Sequence, residues 1–355
     1  LCSAPARENI LGNPTDALEG AYAVISAAIN LKAYVRLTPG PFNVYYKDEY
    51  LGKLDEGKEA AKLFLSALHT LKQYFPAFHV QIMERPFNIH YWTEIPRESG
   101  LAGSTALLAA FMHALRTRYN LPINDYILAE LVQRAEKNAG VVCGYADRYV
   151  CVMGGLAYMD FRGKLHQRPL GKEPLATYER LERYVDYIPL LIAYLGVRRS
   201  SGEVHRKFRS AYMKDYYKKG ELYKVMKKVG WTAMKGKYFL LDKDWKNFGK
   251  LMNLNHKLVD KAMRLAGFKE GAGHYNNLII QYALEKGALG AKLSGAGGGG
   301  SVLILVKPGS EKHMLKLLED YMKDIGLKNG KVYQFNLSKT GVTTIEEPLT
   351  EEEQP

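Results

Sequence analysis

Three groups of residues in this chain have the types and spacing to handle a phosphate. The first is a glycine loop, Pro96-Arg-Glu-Ser-Gly-Leu-Ala-Gly-Ser-Thr-Ala106, followed at once by the helical apolar spacing Leu107, Phe111 and Leu115. Gly100 and Gly103 tolerate backbone angles and close approaches that a β-carbon forbids. Ser104 and Thr105 stand where N-cap and first-turn residues belong. A glycine loop feeding a helix N-terminus gathers unpaired N–H groups and the positive end of the helix dipole at one spot, which favours a phosphate. A tight turn with an ordinary cap explains the stretch about equally well. No G-x-x-x-x-G-K-[ST] occurs, so the common P-loop is not implied.

The second group is a pair of acids, Glu136 near the end of a helical stretch and Asp147 after a Gly-rich turn. Two carboxylates near a phosphate loop suit phosphoryl transfer, where Mg²⁺ gathers charge and a carboxylate orients or deprotonates the attacking hydroxyl. On the residues alone, a surface acid and an Asp147–Arg148 ion pair are the better reading. The third group is Lys292-Leu-Ser-Gly-Ala-Gly-Gly-Gly-Gly300-Ser-Val-Leu-Ile-Leu. Strands on both sides argue against a flexible linker, and so many glycines let backbone approach a ligand or the first loop. His205, Asn9 and Lys292 are suggestive and no more; for a lone histidine, capping or core burial is the stronger reading.

These groups need a scaffold, and the periodicity supplies one. Ser3–Leu11 reads as a strand broken by Pro5 and running into the turn cluster Gly12–Asp16. Strand patterns cover Ala21–Leu37, Phe42–Tyr50 (closing near Gly52), Val80–Ile95 and Leu156–Phe161. Helical patterns cover Gly57–Tyr74, Leu107–Tyr119 and Asn124–Asn138, the last capped by Asn124 or Asp125. Between Arg162 and Tyr184 apolar periodicity gives way to Gly, Pro and charge. Tyr187–Leu195 then reads as a buried strand, Glu203–Tyr217, Lys243–Leu265 and Tyr275–Lys286 as helices. Ala288–Phe335 reads as strand, glycine loop, strand, helix and strand. The expectation is an N-terminal domain over 1–175, a C-terminal domain over 176–345 and a frayed acidic tail over 346–355.

The 355 residues, 47% hydrophobic, suffice for two cores. No apolar run is long enough to span a bilayer, and no charged-then-apolar signal segment opens the chain. The chain opens on Leu1 rather than Met, which leaves room for a trimmed leader. Cys2, Cys143 and Cys151 are odd in number and lack metal-ligand spacing, which favours reduced thiols and a cytoplasmic setting. The net charge of +13 suits an anionic partner. Much of it lies between Arg198 and Lys269, best read as solvated helix faces.

Taken with Ala4-Pro-Ala-Arg7-Glu-Asn-Ile-Leu-Gly12-Asn-Pro-Thr-Asp16, the two glycine loops resemble, in order and content, the three signature motifs of the GHMP kinases. Ala139-Gly-Val-Val-Cys-Gly-Tyr-Ala-Asp147-Arg-Tyr, Gly154-Gly-Leu-Ala-Tyr-Met-Asp160-Phe and Gly202-Glu-Val-His205 look most like the glucuronokinase-like sugar kinases of that superfamily. Three positions depart from the usual pattern. Thr105 replaces a second serine but keeps a hydroxyl; Ala6 replaces a glycine and Asn13 a frequent glutamate.

The resemblance implies an α+β fold with a ribosomal-protein-S5-like N-terminal domain and a ferredoxin-like C-terminal domain. It implies ATP bound by Pro96, Ser99, Gly100, Leu101, Ala102, Gly103, Ser104 and Thr105. Mg²⁺ would be held by Glu136 with Ser104 or Thr105. Asp147 and Arg7 would be catalytic, and Asp16, Asp147, Gly297 and Gly298 would meet the acceptor. An Asx turn after Pro14 explains Asp16 nearly as well. The implied reaction is transfer of the γ-phosphoryl of ATP to a hydroxyl, foremost the anomeric one of a sugar or of a uronic acid such as glucuronate. Galactose, a heptose phosphate or mevalonate is the alternative acceptor. A non-catalytic, basic nucleic-acid-binding relative is the other alternative, and retention of Arg7, Glu136 and Asp147 together speaks against it. The expected partners are small molecules only, with no nucleic acid and no membrane, for a monomer or homodimer.

Overall fold

The structure, a computed structural model, describes residues 1–20, 22–56, 59–141, 143–164, 168–197, 201–295 and 297–345. The expected acidic tail lies outside the described residues. The chain begins with strand β1 (Cys2–Leu11), a single 3-10 turn at Thr15–Ala17, and the long strand β2 (Ala23–Pro39). A hairpin follows, β3 (Asn43–Tyr46) and β4 (Glu49–Lys53), then helices α1 (Glu59–Tyr74) and α2 (Phe78–Glu84) and strand β5 (Phe87–Thr93). Next come α3 (Gly103–Arg118), α4 (Asp125–Asn138), α5 (Ala146–Met153), β6 (Leu156–Asp160) and β7 (Thr177–Arg180). These strands form one sheet in the order β12-β1-β2-β5-β3-β4, with β6 on β2 and β7 on β6; β12 is Thr343–Thr344.

Strand β2 is the spine of that sheet. Its first seven residues, Ala23–Ile29, are all buried, because α3 and α5 pack on it and so does α7 (Glu221–Leu241). A strand covered on both faces needs no polar alternation, which is why this part reads as a continuous apolar run. Helix α3 is correspondingly apolar around its whole circumference and is buried from Thr105 to Leu115.

The second sheet has the order β11-β8-β10-β9, all antiparallel, from β8 (Leu190–Tyr194), β9 (Gly290–Leu293), β10 (Ser301–Leu305) and β11 (Lys331–Gln334). Helices α6 (Ser201–Tyr216), α7, α8 (Trp245–Leu265) and α9 (His274–Glu285) fall between β8 and β9, and α10 (Glu311–Asp324) between β10 and β11. A 4-1-3-2 order with a helical crossover in each half is the expected ferredoxin-like arrangement. Alternation along β10 serves two cores. Val302 and Ile304 face α9 and α10, while Leu303 and Leu305 join the core of the large sheet.

Several local expectations are corrected. Strand β1 is continuous, and a bulge at Pro5/Ala6 accommodates the proline. The stretch 42–50 is a hairpin rather than one strand. Residues 78–84 are helical: Phe78 and Ile82, four apart, are buried, while Val80 is exposed. Helix α5 was not read from the sequence, and α7 only as part of the basic helical stretch between Arg198 and Lys269. Strand β7, beyond residue 175, and β12 both belong to the larger sheet.

Candidate active site

Strand β1 is buried at every position, yet it carries Arg7, Glu8 and Asn9. Buried polar groups on a central strand must find partners, and theirs define the site. Arg7 donates from Nε to Oδ1 and from Nη2 to Oδ2 of Asp147, both at 2.5 Å. This bidentate fork reaches across to the first turn of α5. Asn9 Nδ2 donates to the same Oδ1 at 3.2 Å, and its own Oδ1 accepts from Ser26 Oγ. Burial alone would raise the Asp147 pKa, but the Arg7 guanidinium, with Arg148 and Asn9 beside it, holds the carboxyl well below the usual carboxylate range.

Arg7 also fixes the glycine loop: its Nη1 donates to Gly100 O at 2.6 Å and its backbone N to Leu101 O. Glu98, Gly100 and Ala102 have φ of 53°, 76° and 61°, so the loop coils tightly into α3. Ala102, not Ser104, is the N-cap, and no side chain caps the helix start. The orphan N–H groups of this first turn are therefore left for an anion. Ser99 Oγ, buried in the loop, likewise has no partner among the described residues. Thr105 Oγ1 donates to Glu136 Oε1 at 2.9 Å. The other oxygen of Glu136 takes two nitrogens of Arg148, and Arg148 Nη1 stands 3.6 Å from Asp147 Oδ2. The expected Asp147–Arg148 pair is thus secondary: Arg148 belongs mainly to Glu136.

Asp16 is buried in the turn after β1. Its Oδ2 accepts the backbone N–H of Tyr145 and of Ala146, both at 2.9 Å, so it caps the N-terminus of α5. Burial raises its pKa, the Asp147 charge adds to this, and the two N–H donors pull the other way.

The third motif closes the site from the C-terminal domain. Gly295 packs so tightly on Gly100 that a β-carbon there would sit 3.2 Å from the Gly100 Cα, and Ser301 Oγ donates to Ser99 O at 2.7 Å. Lys292, fully buried, donates to Asn9 O, Asn13 Oδ1 and Leu293 O, joining strand β9 to the first motif. Ser294 Oγ donates to Glu8. Burial pushes Lys292 down to about 7 and Glu8 up to about 7.

These elements enclose a cleft of about 1210 Å³. One end, between the β3–β4 hairpin and α1, is lined by Val44, Tyr46, Leu51, Ala61 and Tyr91. The glycine loop, Arg7, Glu136, Asp147 and Arg148 line the middle. Asn13, Asp16, Cys143, His205 and Arg206 line the other end. Of the expected loop residues, Pro96, Ser99, Gly100, Ala102, Gly103, Ser104 and Thr105 reach the cleft; Leu101 is turned into the core. Gly297 lines the cleft, whereas Gly298 is not among the lining residues: its N–H donates to Ala272 O. The residues that sequence reasoning missed are the apolar wall from β3 to α1, whose ring and aliphatic side chains carry no chemical motif, and Arg206.

The description "GHMP kinases N terminal domain" fits residues 62–155, and "GHMP kinases C terminal" fits 237–323. Glucuronokinase 1 of Arabidopsis thaliana is 32% identical over 90% of this chain and 88% of its own. D-glycero-alpha-D-manno-heptose 7-phosphate kinase of Campylobacter jejuni is 25% identical over 72% of this chain and 70% of its own. Lactococcus lactis galactokinase, solved with galactose, superposes with a TM-score of 0.75 at 17% identity, covering 97% of this chain and 94% of that one. Methanococcus jannaschii mevalonate kinase gives 0.68 at 21% identity, covering 95% and 98%. The fold, the order of its three motifs and these relationships agree, and the chain belongs to the GHMP kinases, as an ATP-dependent phosphotransferase with a hydroxyl acceptor.

Proposed function

We propose that this chain transfers the γ-phosphoryl group of ATP to the anomeric hydroxyl of a uronic acid, glucuronate first among them. The observation that carries the reading is the Arg7–Asp147 fork set beside an uncapped helix start in one cleft. The relatives named glucuronokinase supply the acceptor class. In this reading the adenine lies against Tyr46, Leu51 and Tyr91, and the phosphates lie on the N–H groups of Gly103–Thr105 with Ser99 Oγ as a further donor. Asp147, ionised and held by Arg7 and Asn9, orients the acceptor hydroxyl toward the γ-phosphorus. The new P–O bond forms as the bond to the β–γ bridging oxygen breaks, ADP departs, and the hydroxyl proton passes late to Asp147. In a loose transition state a carboxylate of low proton affinity serves this role well, because positioning matters more than basicity.

The residues present fit Mg²⁺. Glu136 Oε1 and the Thr105 hydroxyl are hard oxygen donors side by side, and Mg²⁺ takes one or two carboxylates and completes its shell with water and substrate phosphate. Among the described residues there is no group of three or more His, Cys, Asp or Glu that could hold a metal ion without the nucleotide. When bound, Mg²⁺ offsets the charge of the β- and γ-phosphates. Among the described residues no helix is long and apolar enough to cross a membrane. A coupled ADP-release screen over uronic acids, hexoses, sugar phosphates and mevalonate tests the acceptor. Glucuronate should lead, with the phosphate on the anomeric oxygen. A primary-alcohol phosphate as main product, or mevalonate as best acceptor, overturns the assignment.

A further inference from the structure

The end of the cleft beyond Asp147 holds polar side chains that the phosphoryl-transfer machinery leaves unused. Helix α6 brings His205 and Arg206 to the wall facing Asp16, Asn13 and Asp147. The arginines around them are committed: Arg7 to Asp147, Arg148 to Glu136, and Arg209 to Glu19 and Ala17 O. Arg206 makes no hydrogen bond or ion pair among the described residues, and Glu203, one turn earlier on the same wall, does not pair with it. The imidazole of His205 also has no partner among them. The other uncommitted cations of the cleft, Lys53 and Lys62, belong to β4 and α1 at the opposite end.

Arg206 is exposed at the mouth of the cleft, so its guanidinium is free to take an anion, and its planar fork suits a carboxylate or phosphate. In the proposed reading the nucleotide phosphates have their own donors at the start of α3, which leaves this fork for the acceptor. Within the uronic-acid reading, we propose that Arg206 binds the carboxylate of the acceptor and that His205 hydrogen-bonds a neighbouring hydroxyl, so that α6 sets the substrate's orientation over Asp147. Burial pushes the His205 pKa down to about 4, with Arg148 and Arg7 adding to the effect against Asp147, which leaves a neutral ring that offers one donor and one acceptor. Such a ring suits a hydroxyl. Asp16 Oδ1, opposite its capping oxygen, remains for a further hydroxyl.

The proposal predicts a charge-dependent preference that a structural role for Arg206 cannot produce. Glucuronate and glucuronamide share size and hydroxyls and differ in the charge of one group. For the intact protein, Arg206→Gln should lower kcat/KM for glucuronate by about tenfold or more through KM, the loss of one charge-assisted contact. It should leave kcat, ATP affinity and glucuronamide turnover within about threefold, the scatter expected of an exposed substitution. Arg206→Lys should restore part of the preference. His205→Asn should weaken both acceptors alike. Equal losses on both acceptors for Arg206→Gln, or none on either, overturn the proposal while the kinase reading stands. Absence of wild-type turnover with glucuronate removes the uronic-acid reading and this proposal together.

Discussion

Asp16 holds Asp147 in place through the backbone: its carboxylate caps the helix on whose first turn Asp147 sits. Gly144 makes that possible, since a β-carbon there would lie 2.0 Å from Asp16 Oδ2. Gly144→Ala should therefore break the cap, costing about 1 kcal/mol of stability, and displace Asp147, so that turnover falls further than stability does. Asp16→Asn keeps an acceptor for the cap and should chiefly raise the acceptor KM. Thermal melts and steady-state kinetics on both variants separate the two effects; equal kinetics for them would remove the capping role.

Asp147→Asn should keep ATP binding by calorimetry and lose on the order of 10²-fold or more in turnover, the scale of a positioned acid–base group. Turnover within a few-fold of wild type rules out the mechanism proposed here.

Thr105→Ala and Ser104→Ala should part company. Neither hydroxyl caps α3, so neither change should cost the stability of a lost cap. Thr105, bonded to Glu136, should raise the Mg²⁺ concentration needed for half-maximal rate, as should Glu136→Gln. An unchanged magnesium titration for Glu136→Gln excludes it from the metal shell.

Lys292→Met would strand three buried acceptors that now tie β9 to the first motif. A loss on the order of 3 kcal/mol is expected, with reduced turnover because Asn9 positions Asp147. Urea unfolding with activity on the same samples measures both.

Acid sensitivity has three named sources. Burial pushes His113, His205 and His256 each down to about 4. Unfolded histidine titrates near 6.5, so between about 6.5 and 4 the unfolded chain binds more protons and stability falls as the pH is lowered through that window. Above it these residues contribute nothing to the pH dependence. Glu8, pushed up to about 7, takes its proton first in the folded chain and opposes them from about 7 to 4.5, so His205→Asn should lessen the net acid slope in melts from pH 7 to 4 by one histidine's share. An unaltered slope would place the titration elsewhere.

The glycine loop, the capped start of α4 and the closing β9–β10–α10–β11 run were legible in the sequence because their signals are local. Asn124 accepts from Ile127 N as a cap should. The start of Val80–Ile95 misled because Val80 and Ile82 alternate and so short a run cannot separate a period of two from one of 3.6, whereas its later part holds β5 as read. Helix α5 was hidden by its Tyr149, Val150 and Val152, residues of strand character held helical by the cap from Asp16. The partner of Arg148 was misassigned because sequence offers it the neighbouring Asp147, whereas the fold brings Glu136, 12 residues earlier, to its guanidinium. Arg206 carries no motif at all; only the commitment of the arginines around it makes it stand out.

Strand β2 has hydrogen-bonded neighbours on both edges at Ile25–Ala27, through β1 and β6, and at Ala33–Val35, through β1 and β5. Amides enclosed on both sides open only when the sheet itself comes apart. Those two short runs should be the last protons that the chain surrenders to heavy water, outlasting the glycine loops that line the cleft.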